Sequence, residues 1–383
     1  MSKPHTALTG ADILWEGALV AGKALLLDED RITGLAEAAD LPAGIDATDL
    51  GGGILAPGFV DLQVNGGGGV MLNDRPDAET LGIMARAHAS IGATTILPTL
   101  ITDTEEQTAR AIDAVAEAIV LGTPGIAGLH LEGPHLAPAR KGAHDPGLIR
   151  PMEDSDLAML QDAAARLPLL KVTLAPENAT LDQIRKLAEA GVLVSLGHTN
   201  ASYADCAAAM QAGARCVTHL FNAQSQMGNR EPGTVGAALA LAGLSAGLIA
   251  DGIHVHAASV QNALRAKTGP GEIFLVSDAM ATAGSDIPSF RLNGREIRRS
   301  GNRLTLADGT LAGAHLELAD AVRFLVETCG EDTARALSRA TRLPAELAGL
   351  PDAGWLTKGR SADLVHLNSN LRLQKTWQAG RPS

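Results

Sequence analysis

Up to about residue 56, short apolar runs alternate with turn residues, as in ADILWEGALVAGKALLLDEDRITGLAEA. Runs of that length, broken by Gly and Asp, predict short antiparallel strands. After Pro57 the rhythm changes. Apolar runs beginning near Ile54, Ala93, Ile126, Leu169, Val192, Cys216, Ala246 and Glu272 alternate with stretches of helical spacing. DAETLGIMARAHASIG and LDQIRKLAEAG are two such stretches, each with a glycine at its stop. Eight strand–helix units in roughly 300 residues favour a (β/α)8 barrel. An open doubly wound sheet is the alternative, because strand order cannot be read from one sequence.

Beyond the eighth run, FRLNGREIRRSGNRLTLADGT reads as a hairpin insertion with turns at Asn293-Gly294 and Ser300-Gly301. Helical spacing continues to about Leu350, and SADLVHLNSNLRLQKTWQAGRP returns to short strands. The simplest packing joins the two chain ends. Residues 1–56 and 357–383 then form a small β domain beside a barrel of residues 57–356.

Composition narrows the class. Of the 383 residues 46% are apolar but only 2% aromatic, so the body is closely packed by small side chains, as in compact α/β enzymes. The formal charge of −12 comes with no basic stripe, which excludes an ordinary nucleic-acid binder. The densest basic segment, REIRRSGNR, reads as a charged hairpin. On so acidic a body an anionic substrate must be held by a few local cations or backbone N–H groups. Cys206, Cys216 and Cys329 form no CxxC pair, which argues against a disulfide scaffold and fits a reducing compartment. The N-terminal stretch has no apolar leader and no window reaches the length of a membrane span, so the chain reads as soluble and cytoplasmic.

In a barrel enzyme the chemistry gathers where strands end. Run three ends at Glu132 in GLHLEGPH, run five at His198 in VSLGHT, run six at His219 in CVTHLF, and run eight at Asp278 in FLVSDA. Two histidines and a carboxylate with an open fourth position make a catalytic zinc-type ligand set, and no thiolate is placed to close it. Any one of these residues alone would more often be structural; their joint placement is what points to a metal. Alternation puts His130 on the same side of its strand as Glu132 but a layer deeper, as a supporting or core residue. His135 falls in the loop beyond Pro134. His144, His254 and His256 lie in turn-rich segments, and His5, His88 and His366 carry no functional assignment.

Taken in order, PGFVDLQVNG, EGPH with KGAH, VTLAPE, SLGHTNAS, THLFNA, REPG, ADGIHV and VSDAMATAG resemble the N-acetylglucosamine-6-phosphate deacetylases of the amidohydrolase superfamily, from about residue 53 to the C-terminus. The resemblance implies a distorted (β/α)8 barrel with a small β-sandwich built from both chain ends. It implies hydrolysis of the acetamido group of N-acetylglucosamine 6-phosphate to glucosamine 6-phosphate and acetate, in amino-sugar catabolism or recycling. Carried over by residue, Glu132, His198 and His219 would hold one divalent metal, by default Zn2+, with Fe2+, Co2+ or Mn2+ fitting the same donors. Asp278 would be the general acid and base, and His144 would polarise the amide carbonyl. Ala143, Asn222, Ala223, Arg230, Asp251, Gly252, Ile253, His254, Leu311, Ala312 and Gly313 match positions lining the sugar-phosphate pocket. The resemblance also implies a homodimer in which Arg230 reaches the phosphate, in its own subunit or across the interface.

The chain departs from many superfamily members in one respect. Where those carry His-x-His at the end of run one, this chain has Gln63 and Asn65, and neutral amides are poorer ligands than imidazole. That points to the one-metal branch. His315, in LAGAHLEL, stands where a small polar residue is expected and reads as a helix-start residue, because the helix there is amphipathic. The rival activities are amide hydrolysis on a cyclic amide, an N-acyl amino acid or a different N-acetylhexosamine phosphate. A catalytically silent barrel would be expected to lack a ligand or Asp278, and all are present.

Overall fold

The apolar run that starts near Ile54 is two strands with different destinations. Ile54–Pro57 pairs antiparallel with Leu364–Leu367 near the end of the chain and parallel with Asp12–Trp15. After Gly58, Phe59–Val64 begins the barrel. A Cβ on Gly58 would stand 2.0 Å from Thr94 Oγ1, so only glycine fits where the chain passes from one core to the other. Hydropathy could not show the break, because both halves are buried. The structure, a computed structural model, describes residues 6–383, and His5 lies outside the described residues.

Seven further barrel strands follow: Ala93–Ile101, Leu129–Glu132, Leu170–Leu174, Leu193–Leu196, Cys216–Val217, Ser245–Leu248 and Ile273–Leu275. Each pairs in parallel with the strand before it, in chain order. The circle closes past the eighth strand, where the Asp278 N–H donates to the Gln63 carbonyl (3.1 Å) and the Asn65 N–H to that of Ala279 (2.7 Å). This is the barrel and not the open sheet. Its helices follow their sequence signals. Asp77 caps Ala78–Ser90 by accepting from the Thr80 N–H, and Thr180 with Gln183 forms a capping box on Leu181–Glu189.

Both chain ends build the small β region. One sheet has four strands, all from the N-terminal segment, and the other has six, three of them from the C-terminal segment. Leu8, Ile13, Leu25, Ile32, Leu55, Leu364 and Trp377 share one apolar core there. The pairing is mixed, not uniformly antiparallel as expected: Thr6–Thr9 runs parallel to Asp46–Asp49. Strands of one segment are dealt to two sheets, and the residues crossing between them allow the parallel return that a tight hairpin forbids.

The insertion after the eighth strand has three strands, one more than a hairpin: Ser289–Leu292, Arg295–Ser300 and Arg303–Thr305. Leu292, Ile297 and Leu304 on it pack with Met71, Ile101, Met280 and Ala312 in a separate core. Among the described residues no helix is long and apolar enough to cross a membrane, and all three cysteines are buried and unpaired.

Candidate active site

Glu132 is the last residue of the third barrel strand, and His198, His219 and Asp278 lie just past the ends of the fifth, sixth and eighth. Gly133 takes a left-handed φ of 91° after Glu132, and a Cβ there would stand 2.2 Å from Thr102 Oγ1. His198, His219 and Asp278 themselves have positive φ values of 47°, 27° and 51°. Non-glycine residues in that region cost about 1–3 kcal/mol each and concentrate at functional sites. These turns bring His198 and His219 against Glu132, and Asp278 lines the same cavity.

The result is a tight cluster of donor atoms. Glu132 Oε1 is 3.2 Å from His198 Nε2 and 3.0 Å from His219 Nε2, and the two nitrogens are 3.0 Å apart. All three residues are buried. One carboxylate oxygen and two imidazole nitrogens this close together, all buried, could hold a divalent metal. His198 Nδ1 donates to the Arg140 carbonyl at 2.7 Å, which leaves Nε2 as its inward-facing ligand atom. Burial would raise the Glu132 pKa, but hydrogen bonds from His198 and His219 win and hold it well below the usual carboxylate range. Burial opposes the charged form of His219 as well, yet the bond to Glu132 pushes its pKa up.

Beside this cluster Asp278 accepts at Oδ1 from Asn65 Nδ2 (2.8 Å) and Gln63 Nε2 (3.1 Å), and the same Gln63 nitrogen donates to Glu132 Oε1 (3.2 Å). The two amides point their N–H groups at the carboxylates, so hydrogen-bond donors face both anions from the first strand. Burial and the charge of Glu132 raise the Asp278 pKa above its ordinary value. Both amides bond Oδ1, and Oδ2 is free of them.

His144 Nδ1 takes the Thr102 N–H at 3.3 Å and lies 2.7 Å from Thr102 Oγ1. Its ring stands edge-on to His198 with centroids 4.4 Å apart. Burial, then the neighbouring His198, push its pKa well below the usual value, so the imidazole is neutral. Arg295 on the insertion donates to the Ala143 carbonyl, tying the loop that carries His144 to the three-stranded sheet.

These groups open into a cavity of about 400 Å³, a size suited to a small ligand. Of the residues matched to a sugar-phosphate pocket, Ala143, Asn222, Ala223, His254, Leu311 and Gly313 line it. Asp251 stands behind the wall and accepts from His254 Nδ1 at 2.6 Å and from the backbone of Ile253 and His254. Gly252 packs against Phe324, and Ala312 is buried in the core beneath the insertion. Arg230 is exposed and does not reach the cavity of its own chain.

The other histidines resolve into supporting roles. His130 is fully buried between Thr99 Oγ1 (3.1 Å) and Thr173 Oγ1 (2.7 Å), in a polar layer under the cluster that also holds Lys171. His135, expected in a loop, is in one, but buried against Arg150 and Asp156. His315 is a correction: the helix starts at Leu318 with Glu317 as its cap, and His315 precedes it, bonded to Thr282 Oγ1 at 3.0 Å and outside the cavity wall. Glu177 accepts from Thr199 Oγ1 and the Asn200 N–H and shapes the loop after the fifth strand.

Sequence reasoning missed Thr102, Arg140 and Arg295. Thr102 ends the second apolar run and was detectable by asking what stands at the end of every strand. Arg140 acts partly through its carbonyl, and Arg295 through a contact 152 positions away in sequence, neither of which leaves a signal in the residue type.

The sequence profile of the amidohydrolase family matches residues 54–382. An N-acetylgalactosamine-6-phosphate deacetylase from Shewanella sp. (strain ANA-3) is 42% identical over 99% of this chain and 97% of its own. An N-acetylglucosamine-6-phosphate deacetylase from Haemophilus influenzae is 34% identical over 94% of each chain. The crystal structure of N-acetylglucosamine-6-phosphate deacetylase from Pasteurella multocida superposes with a TM-score of 0.94 at 33% identity, covering 99% of both chains.

Proposed function

The chain belongs to the amidohydrolase family, and from that premise we propose that it hydrolyses the acetamido group of N-acetylglucosamine 6-phosphate to glucosamine 6-phosphate and acetate, in amino-sugar catabolism. The observation that carries the reading is the convergence of Glu132, His198 and His219 beside Asp278 and a neutral His144 in one cavity. The names of its relatives support the substrate.

Glu132, His198 and His219 would hold one divalent metal, Zn2+ by default, with Fe2+, Co2+ and Mn2+ suiting the same donors. When bound, it supplies Lewis acidity that brings the pKa of water toward neutrality and polarises a carbonyl. Gln63 and Asn65 turn their amide N–H groups toward Asp278 and Glu132, which supports a single metal. Asp278 takes a proton from the attacking water at Oδ2. His144 donates from Nε2–H to the oxyanion that develops on the acetyl carbonyl. Asp278 then passes its proton to the leaving nitrogen, the C–N bond breaks, and acetate and a free amine result. One carboxylate serves both proton transfers.

The catalytic unit is residues 57–356, beside a sandwich of 1–56 and 357–383, in a cytoplasmic homodimer. Support for the dimer is the loop Gln226–Arg230, exposed throughout, with Met227 at 64% exposure and Arg230 outside the lining of its own cavity. Arg230 serves the phosphate across the subunit interface.

One observation favours a second reading. The relative at 42% identity is an N-acetylgalactosamine-6-phosphate deacetylase, and its sugar differs from the gluco form only in the configuration of the C4 hydroxyl. The deciding experiment measures acetate release from both sugar phosphates and from unphosphorylated N-acetylglucosamine on metal-analysed protein. The gluco reading expects the highest kcat/KM on N-acetylglucosamine 6-phosphate. A preference for the galacto sugar moves the assignment, and no acetate from any of the three overturns it.

A further inference from the structure

Two carboxylates, Glu132 and Asp278, stand at the bottom of a cavity in a protein of formal charge −12. A phosphate dianion entering there meets a repulsive field unless the wall supplies a cation. Among the residues lining the cavity only one is a lysine or arginine, and it is Arg140. Nearby cations are committed or outside. Arg295 is bound to the Ala143 carbonyl, Lys141 is exposed beyond the wall, and Arg230 is exposed outside it.

Arg140 is half-buried and makes no ion pair among the described residues. It is nonetheless fixed at two points. Its carbonyl accepts from His198 Nδ1, and its Nε donates to Asn200 Oδ1 at 2.5 Å. The Nη nitrogens have no acceptor among the described residues. Asn200 is itself held, its N–H donated to Glu177 at 2.6 Å. A guanidinium with its base anchored and its outer edge free is pre-organised to take two oxygens of a tetrahedral anion.

We propose that Arg140 is the cation of the chain's own cavity wall that binds the phosphate of the sugar phosphate, beside Arg230 of the partner subunit, the free Nη edge taking phosphate oxygens. This rests on the sugar-phosphate reading above and adds a residue to it. It also couples the substrate's remote end to the metal cluster, because the residue that grips the phosphate is the one whose carbonyl orients His198.

The test is equilibrium binding of glucosamine 6-phosphate, glucosamine and inorganic phosphate to the metal-loaded dimeric or monomeric protein as purified, for wild type, Arg140→Ala and Arg140→Lys. Metal content and kcat/KM on phosphorylated and unphosphorylated N-acetylglucosamine are measured in parallel. Arg140→Ala should weaken glucosamine 6-phosphate by about 10- to 100-fold, and lower the preference for the phosphorylated sugar by about as much. Arg140→Lys should recover part of both, since it keeps the charge but not the Asn200 bond. Equal losses on both sugars, with metal lost as well, would reduce Arg140 to a structural support of His198 and overturn the proposal. So would undiminished phosphate binding by Arg140→Ala, in which case the deacetylase reading stands alone. Arg140-dependent binding of glucosamine 6-phosphate in a protein that releases no acetate retires the deacetylase reading and leaves Arg140 in place. A wild type that binds neither phosphate compound overturns both.

Discussion

The main-chain N–H of Thr102 donates to Nδ1 of His144. A backbone N–H can only donate, so Nδ1 holds a lone pair and the ring proton sits on Nε2. Burial keeps the ring from taking a second proton. The tautomer is therefore set by the backbone at the end of the second barrel strand, and the nitrogen left free carries the hydrogen. His144→Asn should lower kcat by about 10²–10³-fold, the scale for loss of one oxyanion donor, with metal content unchanged. Thr102→Val removes only Oγ1 and leaves the main-chain bond, so its loss should be far smaller. A fast His144→Asn enzyme would remove the residue from the mechanism.

Metal loading should release a proton. In the metal-free cluster Glu132 is held charged and the His219 pKa is raised above its usual 6.5. A metal needs His219 neutral, so the proton competes with it more strongly as pH falls. Calorimetry in buffers of different ionisation enthalpy should show that release, with affinity falling from pH 8 to pH 6. Chelation should abolish turnover, and one added ion per chain should restore it. Full activity only with two ions per chain, or pH-independent affinity, contradicts the single cluster.

Asp278→Asn keeps the size of the side chain but cannot carry a proton. Turnover should fall about 10²–10⁴-fold while metal content and fold persist. Burial and Glu132 raise the Asp278 pKa in the metal-free protein, and wild-type activity should be lost as pH falls and Asp278 takes up a proton. The residual rate of the variant should lack that limb. A variant of near-normal rate places the base elsewhere.

Asp61 titrates within the fold. It is buried in the first barrel strand and accepts from the N–H groups of Gln63 and Ser277, but burial outweighs those bonds and pushes its pKa up to about 7. The folded value lies above the unfolded one of about 4, so the folded state holds the proton more tightly. Its stabilising contribution is complete below pH 4 and is lost as pH rises through 7, by about 4 kcal/mol at most. In Asp61→Asn that part of the pH dependence should vanish. Denaturant melts at pH 5 and pH 8 should therefore differ less for the variant than for the wild type. An unchanged difference means that Asp61 is ionised throughout.

The barrel was legible because its strands are continuous apolar runs and its helices carry caps and glycine stops, both local signals. Glu132, His198, His219 and Asp278 were legible as polar residues breaking those runs at the strand ends. What the sequence hid depends on distance or on backbone atoms. The split at Gly58 is invisible in hydropathy because Leu55 and Phe59 are both fully buried, in different cores. Arg140 orients His198 with a carbonyl that any residue would have. The third strand of the insertion and the parallel pairs of the small sheets depend on which strands meet, and His315 was misplaced because an amphipathic pattern extends two residues past the true cap.

The strand Ile54–Pro57 has its antiparallel partner in Leu364–Leu367, with the whole barrel between them in sequence. During synthesis the first partner leaves the ribosome long before the second exists. The edge it presents must wait, unpaired, while the eight barrel units are made. The barrel can close on its own neighbours, each pair local in the chain, but the six-stranded sheet is a late event that only a full-length chain completes. Loss of the last strands would thus leave the cluster of Glu132, His198 and His219 drawn entirely from the barrel while exposing the Ile54–Pro57 edge to other chains. Aggregation, ahead of any defect in chemistry, is the damage a C-terminal truncation would do.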